Sequence, residues 1–125
     1  MQTDRRAGTV IFVSNRSPEA TIAQDIEARG VVVQWARSLR AAVDLLNSAR
    51  EKTVIVTELA LADGNWRDLV ERMRSRGVPI PIVLLTSAST AELWWDALEC
   101  GIDDIFPGPL TACPLWQFLK TRFTS

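Results

Sequence analysis

The sequence predicts an α/β domain in which helices cover both faces of a five-stranded parallel sheet, giving three layers. Two observations point to this fold class. Five short runs rich in β-branched and apolar residues recur along the 125 residues, and a segment with helical spacing of apolar residues follows each run. Strands that alternate with helices are expected to be parallel, with right-handed crossovers. The chain is therefore predicted to form one doubly wound domain, with its core at about residues 9–123.

The five predicted strands differ in their apolar pattern. The first, third and fourth runs are almost continuously apolar, which is typical of parallel strands covered on both faces. The fifth run contains Asp103 and Asp104 and resembles a strand that begins in a polar turn. The predicted strands cover residues 9–13, 31–35, 53–57, 80–85 and 102–106.

Helix start and stop signals flank the segments between these strands. Ser17 and Pro18 are suited to the N-cap and first position of the first helix. Gly30, Gly77 and Gly101 follow the first, third and fourth helical segments, where glycine commonly ends a helix. The predicted helices cover residues 18–29, 38–50, 66–76, 90–100 and 111–123.

Composition excludes several classes of function. The net charge of -1 gives no general attraction for nucleic acid or an anionic membrane. Two cysteines, Cys100 and Cys113, and no histidine are too few ligands for the usual zinc sites, and the cysteines are expected to be core thiols. The absence of histidine also excludes a histidine base. No signal peptide or membrane span is predicted, so we expect a cytoplasmic protein. From the lack of suitable ligands we expect neither a metal ion nor another cofactor.

Three short motifs occur in the order and spacing of one known family. Residues 59–64 (LALADG) follow the third strand, residues 78–86 (VPIPIVLLT) include the fourth, and residues 97–105 (ALECGIDDI) lead into the fifth. Together they resemble the response-regulator receiver (CheY-like) family of two-component signalling. The resemblance extends over residues 9–123 and implies the flavodoxin-like fold of that family.

The resemblance implies a site for phosphotransfer, but most of its residues differ here. Family members use two acids after the first strand, an acceptor aspartate, a Thr or Ser, and a lysine, and the acids bind magnesium. The aromatic residue of the fifth strand, which acts as a rotamer switch in the family, corresponds to Ile105. The two acids correspond to Ser14 and Asn15, the acceptor aspartate to Glu58, the Thr or Ser to Thr86, and the lysine to Gly108. Only Thr86 matches, so we interpret the chain as a pseudo-receiver that is not an enzyme and is not phosphorylated by the standard route.

Alternatives remain open at this site. A shift of one residue in the third strand would place Thr57, and not Glu58, at the acceptor position. Ser14, Thr57 or Asp63 could serve as a displaced phosphoacceptor, although Ser14, Asn15 and Asp63 also suit turns and Thr86 could simply cap the loop before the fourth helix. A small α/β enzyme or nucleotide binder is disfavoured because residues 14–17 (SNRS) contain no glycine-rich phosphate loop.

Without a phosphorylation site, function is expected on a surface. The partner is expected to be a protein: a kinase, an output domain or a second copy of the chain. Helical spacing places Trp94 with buried Ala97, and Trp95 with Leu98 on the outside. The predicted partner surface comprises Trp95 and Leu98, with Trp116 as a possible neighbour, whereas Trp35 and Trp66 are assigned to core or edge packing.

Overall fold

A computed structural model describes residues 8–48, 52–77, 80–86, 90–107 and 112–123 of the chain. These residues form strands and helices in alternation, as predicted. The strands are β1 (Gly8–Val13), β2 (Val31–Ala36), β3 (Thr53–Thr57), β4 (Ala60–Leu61), β5 (Gly64–Asn65), β6 (Ile82–Thr86) and β7 (Asp104–Pro107). The helices are α1 (Ala20–Glu27), α2 (Leu39–Ser48), α3 (Trp66–Ser75), α4 (Ala91–Cys100) and α5 (Ala112–Phe123).

Five of the strands form a parallel sheet in the order β2-β1-β3-β6-β7. Val13 of β1 is paired in register with Thr57 of β3, and Thr57 is paired with Leu84 of β6. The carboxyl ends of these strands consequently lie side by side, and the loops that follow them are brought to one edge of the sheet. The predicted doubly wound fold is confirmed.

Two apolar clusters lie on opposite faces of this sheet. One joins strand residues such as Ile11 and Ile55 to α2, α3 and α4; the other joins Val10 and Val56 to α1 and α5. Successive residues of β1 and β3 therefore point into different clusters, which explains the almost continuous apolar runs. Burial of a large aliphatic side chain contributes about 1.5–3 kcal/mol to stability, so both clusters stabilise the sheet.

Helix α1 and strands β6 and β7 each begin two residues later than predicted. Helix α1 begins at Ala20, and Glu19, not Ser17, occupies its N-cap position, with φ -59° and ψ 136°. The fixed φ of Pro18 suits an extended segment as well as a helix start, so the sequence signal was ambiguous. Strand β6 begins at Ile82 because Pro81 has no N–H, although its carbonyl accepts a bond from the amide of Ile55 at 3.0 Å.

A small antiparallel hairpin, β4–β5, was not predicted. Gly64 is the first residue of β5 and has φ 156°, and a Cβ there would lie 2.7 Å from Asp68 Oδ2. The hairpin leads directly into α3, where the side chain of Asn65 accepts bonds from backbone amides and Asp68 accepts one from the amide of Asn65. This reciprocal capping box fixes where α3 begins.

The residues assigned to packing occupy the expected kinds of position. Trp66 is buried at the start of α3, and Trp35 lies on the edge strand β2 with 37% of its surface exposed. Cys100 is a free thiol packed against the cluster on the α2–α4 face, whereas the side chain of Cys113 lies outside the described set. Within the described ranges, none of the helices has the length and apolar character needed to cross a bilayer.

Candidate functional site

The loops after β1 and β3 meet at the carboxyl edge of the sheet. The Glu58 amide donates to the carbonyl of Val13 at 3.1 Å, which extends the β1–β3 pairing by one step. The Asn15 amide in turn lies 3.4 Å from Glu58 Oε1, within hydrogen-bonding distance. The structure therefore brings together Asn15 and Glu58, as expected for adjacent parallel strands.

Ser14 and Asn15 form a turn at this edge. The Ser14 hydroxyl donates to the carbonyl of Arg16, and the Ser14 amide donates to the carbonyl of Ala36 at 3.0 Å. The remaining carbonyl of Ser14 accepts the indole N–H of Trp35 at 3.1 Å. The hydroxyl of Ser14 is thus bonded within the turn, and its amide and carbonyl are bonded to residues of β2.

Glu58 and Thr57 project in different directions. The side chain of Thr57 is fully buried, and its hydroxyl donates to the carbonyl of Glu58 at 2.9 Å. Glu58 is half-buried and lines a cleft at the surface. Of the two candidates for the acceptor position, Glu58 is therefore the one whose side chain reaches the cleft.

This cleft has a volume of about 250 Å³. Ser14, Arg16 and Glu58 provide polar groups along its wall, while Ile22 and Leu85 are among its apolar residues. Arg16 was not identified as a site residue from the sequence. Its position directly after the expected acid pair was the available signal.

The oxygen ligands available at the carboxyl ends of β1 and β3 do not fit a magnesium ion. Magnesium in proteins is held by carboxylates, together with waters and substrate phosphates. At the positions expected for three acids, the structure has one carboxylate, that of Glu58, beside the neutral side chains of Ser14 and Asn15. More generally, across the described ranges no three His, Cys, Asp or Glu side chains form a group that could hold a metal ion.

The remaining residues expected at the site occupy different environments. Thr86 is the last residue of β6, is half-buried and is paired in register with Pro107. Ile105 is 3% exposed and packs into the cluster on the α2–α4 face, so it is a core residue. Gly108 lies outside the described residues.

Asp63 lies in the turn between β4 and β5, and its carboxylate caps the first turn of α2. Its Oδ1 accepts from the amide of Leu39 at 2.7 Å, and its Oδ2 accepts from the amide of Arg40 at 3.1 Å. These bonds lower the pKa of the Asp63 carboxyl, with Arg72 adding a smaller favourable charge. A turn role was expected for Asp63, but its bonds to α2 were not apparent from the sequence.

The outer surface of α4 carries three large exposed apolar side chains. Trp95 and Leu98 are 69% and 61% exposed, as the helical spacing predicts. The expectation that Trp94 is buried was wrong, because 40% of its surface is exposed. Only a narrow stripe of α4 faces the sheet, and Ala97 is its one fully buried position among the helix residues. Trp94, Trp95 and Leu98 together are called the α4 patch below.

Trp116 does not extend this patch. It packs against the α1–α5 cluster, and Arg29 at the end of α1 lies over its ring, 5.2 Å from the ring centroid. The α4 patch belongs to the helical layer on the other face of the sheet. Trp116 was predicted as a possible neighbour of Trp95, but it lies on the side of α5 that faces α1.

Known proteins share both the sequence pattern and the fold. A family model described as "Response regulator receiver domain" matches residues 14–119. The photosynthetic apparatus regulatory protein RegA of Cereibacter sphaeroides is 33% identical over 91 residues, which cover 73% of this chain and 49% of RegA. This chain spans only 31–49% of the length of three such relatives.

Solved structures agree with this assignment. A two-component response regulator from Clostridium difficile superposes with a TM-score of 0.81 at 21% identity, covering 94% of this chain and 96% of that one. The beryllofluoride-activated NtrC4 receiver domain, solved as a dimer in solution, gives a TM-score of 0.81 at 17% identity and covers 93% and 96% of the two chains. The family match over most of the chain, on this five-stranded sheet, shows that the protein belongs to the response regulator receiver domain family.

Proposed function

We propose that this receiver domain transmits a signal by protein contact and does not take up phosphate by the usual aspartate route. One observation carries the proposal: Glu58 has the neutral residues Ser14 and Asn15 as its neighbours at the carboxyl edge. Phosphoryl transfer to a carboxylate needs a cation that offsets the charge of the phosphate. This edge provides too few anionic oxygens to hold one.

The contacts of the alternative acceptors also support the proposal. The Thr57 hydroxyl is buried and bonded to the carbonyl of Glu58. Both carboxylate oxygens of Asp63 accept amides of α2, so phosphorylation there would remove part of a helix cap. The Ser14 hydroxyl is bonded within its own turn. Each alternative would first have to break a bond that the fold uses.

Intact-mass spectrometry with acetyl phosphate and MgCl₂ tests this part of the proposal. We expect no added phosphoryl mass under conditions that label a receiver domain with an acceptor aspartate, run in parallel as the positive control. Labelling that persists in Glu58→Ala and disappears in Ser14→Ala or Asp63→Asn would instead establish a displaced acceptor. Stoichiometric labelling of Glu58 itself would also contradict the proposal.

The α4 patch is the proposed contact surface. Exposed tryptophans are frequent anchors of protein interfaces because they bury a large area with little loss of conformational freedom. Asp96, on the α3 side of α4, pairs with Arg67, so the patch lies away from α3. Residues 91–100 include Glu92, Asp96 and Glu99 and no Lys or Arg. A partner surface with apolar residues and a basic rim would therefore be complementary.

The acidic residues of α4 favour a different protein over the same surface of a second copy. Self-association is nevertheless tested first, because a receiver domain of the same fold, NtrC4, has been solved as a dimer. Small-angle scattering and chemical cross-linking would compare wild type with Trp95→Ala. If the patch is the interface, this change should weaken the association at least tenfold, in the usual range for a central tryptophan. Trp35→Ala is the matched control, since Trp35 is an exposed tryptophan on the opposite edge of the sheet.

A kinase or an output domain is the other class of protein partner in this proposal. If wild type is monomeric, the same two variants are compared in binding to histidine kinases and output domains of the same organism. Equal effects of Trp95→Ala and Trp35→Ala in both experiments would exclude the α4 patch. A cytoplasmic location and the lack of nucleic-acid and membrane partners belong to the same proposal, supported by the net charge of -1.

A further inference from the structure

A larger cavity lies at the amino ends of the strands, at the opposite end of the sheet from Glu58. It is formed where α3 ends, β6 begins and the turn from α4 leads to β7, with a volume of about 590 Å³. Its accessible apolar lining is provided by Ile80 and Pro81, which are half-buried, whereas Met73 and Ile82 are at most 4% exposed. Cavities that bind small organic molecules usually have about 300–1,000 Å³ and mostly apolar walls, and this cavity falls within that range.

Charged groups lie around the apolar lining. Arg74 and Arg122 line the cavity together with Asp103. Arg122 is 3.5 Å from the carboxylate of Asp103, and its guanidinium lies over the ring of Phe118 at 4.8 Å from the centroid. Two guanidinium groups thus accompany one carboxylate, which leaves one positive charge unmatched at the cavity.

Asp103 is held in place on both sides. Its amide donates to the carbonyl of Ile82 at 2.9 Å, which ties the turn before β7 to β6. Burial raises the pKa of the Asp103 carboxyl, and the positive charge of Arg122 acts in the opposite direction. Asp103 is therefore already paired with Arg122, and a ligand would be drawn mainly to Arg74.

Gly101 allows Arg74 to approach the cavity. Gly101 ends α4 in the left-handed conformation with φ 86°, and a Cβ there would overlap the Arg74 guanidinium. The guanidinium thus lies directly against the backbone of the α4–β7 turn. Within the described residues, none of the ion pairs involves Arg74.

We propose that this cavity binds a small organic carboxylate with a flat apolar body, whose ring lies against the half-buried Ile80 and Pro81 while its carboxylate pairs with Arg74. Charge complementarity selects an anion, because the unmatched group is a guanidinium. A planar guanidinium binds a carboxylate through two parallel N–H···O bonds, which favours a carboxylate over a neutral group of the same shape.

The test uses 2-naphthoate as the probe and two-dimensional amide NMR of the ¹⁵N-labelled protein. We expect saturable shifts at the amides of Gly77, Ile82, Gly101 and Asp103, with a dissociation constant in the range of about 0.1–1 mM. The uncharged 2-naphthylmethanol has the same ring and should bind at least about fivefold more weakly. 2-Naphthylmethylamine, a cation at neutral pH, should give no saturable shifts at these amides.

Two arginines on one helix provide the matched variants. Arg74→Gln removes the guanidinium at the cavity and should weaken naphthoate binding about fivefold or more, without changing binding of the alcohol. Arg72→Gln removes an equal charge from α3, but Arg72 lines a different cleft beside Asp63, so binding should not change. Far-ultraviolet circular dichroism verifies that both variants are folded.

Three results would each overturn the proposal. One is the lack of a saturable shift up to about 10 mM naphthoate, well above the expected dissociation constant. The second is equal binding of naphthoate and naphthylmethanol, or equal effects of Arg74→Gln and Arg72→Gln. The third is a set of shifts centred on Trp95 and Leu98, which would place the probe on the α4 patch.

Discussion

The carboxylate of Asp63 caps a helix that begins 24 residues earlier, with Oδ1 2.7 Å from the amide nitrogen of Leu39. Ser38 also caps α2, since its hydroxyl accepts the amide of Ala41 at 3.1 Å. The first turn of α2 thus uses one local and one distant acceptor for amides that have no partner within the helix. Because Asp63 lies in the turn of the β4–β5 hairpin, its bonds hold this hairpin against α2. The hairpin follows Glu58 closely in the chain, so the segment just after Glu58 is held in place as well.

Removal of this distant cap should destabilise the domain. We expect Asp63→Ala to lower the free energy of unfolding by about 1 kcal/mol, the usual cost of losing an N-cap acceptor. Urea denaturation followed by circular dichroism measures the change. Asp44→Ala, an exposed aspartate on the same helix, is the control and should change stability by less than about 0.5 kcal/mol. Equal effects of the two variants would show that the Asp63 bonds contribute nothing.

The Asp63 contribution should depend on pH. Because the folded state lowers the pKa of this carboxyl, its stabilising effect is complete above the unfolded pKa of about 3.9. The effect is lost as the pH falls through the lower folded value. The stability difference between wild type and Asp63→Asn should therefore be constant from about pH 7 to 5 and shrink below about pH 4. A difference that grows in acid would contradict this assignment.

Asp103 should show the opposite sign. Its pKa is raised in the folded state, so its relative stabilising contribution is present below the unfolded pKa and is lost as the pH rises through the folded value. Compared with wild type, Asp103→Asn should become relatively more stable as the pH increases from about 3 to 7. Urea midpoints measured across this range test the sign, and a constant difference would exclude a raised pKa.

The main sheet was predictable because each of its strands and helices has a strong periodic pattern. The β4–β5 hairpin has strands of two residues each, too short for any periodic signal. The start of α3 at Trp66 was predicted, but the capping box of Asn65 and Asp68 that fixes this start was not. Trp94 was misplaced because helical spacing identifies residues that share a face and does not show how much of that face the sheet covers.

The candidate site was partly predictable for a similar reason. Parallel strands end at one edge, so Ser14, Asn15 and Glu58 could be expected together from the order of the strands alone. The direction of each side chain depends on one-residue register, which distinguishes buried Thr57 from Glu58. The partners of Asp63 are distant in sequence, and only the folded chain reveals them.

Restoring aspartate at one position should not restore phosphorylation. Glu58→Asp supplies the usual nucleophile but leaves Ser14 and Asn15 neutral, so acetyl phosphate with MgCl₂ should still produce no label. The triple variant Ser14→Asp/Asn15→Asp/Glu58→Asp adds the missing anionic oxygens and should be labelled at least about tenfold more, in a magnesium-dependent manner. Labelling of the single variant equal to that of the triple variant would show that the neutral pair is not limiting.

Two glycines with similar backbone angles should show a similar cost of substitution by alanine, although only one of them has a close neighbour. Gly77 and Gly101 have φ 74° and 86°, so each alanine costs about 1 kcal/mol for a left-handed conformation. At Gly77 no described atom lies within 4 Å of a new Cβ, whereas at Gly101 that Cβ meets the Arg74 guanidinium. The Arg74 guanidinium is the far end of a flexible side chain and can move aside, so Gly101→Ala should cost about as much as Gly77→Ala in urea denaturation. An Arg74→Ala background should leave both costs unchanged; an excess at Gly101 that disappears without Arg74 would contradict this expectation.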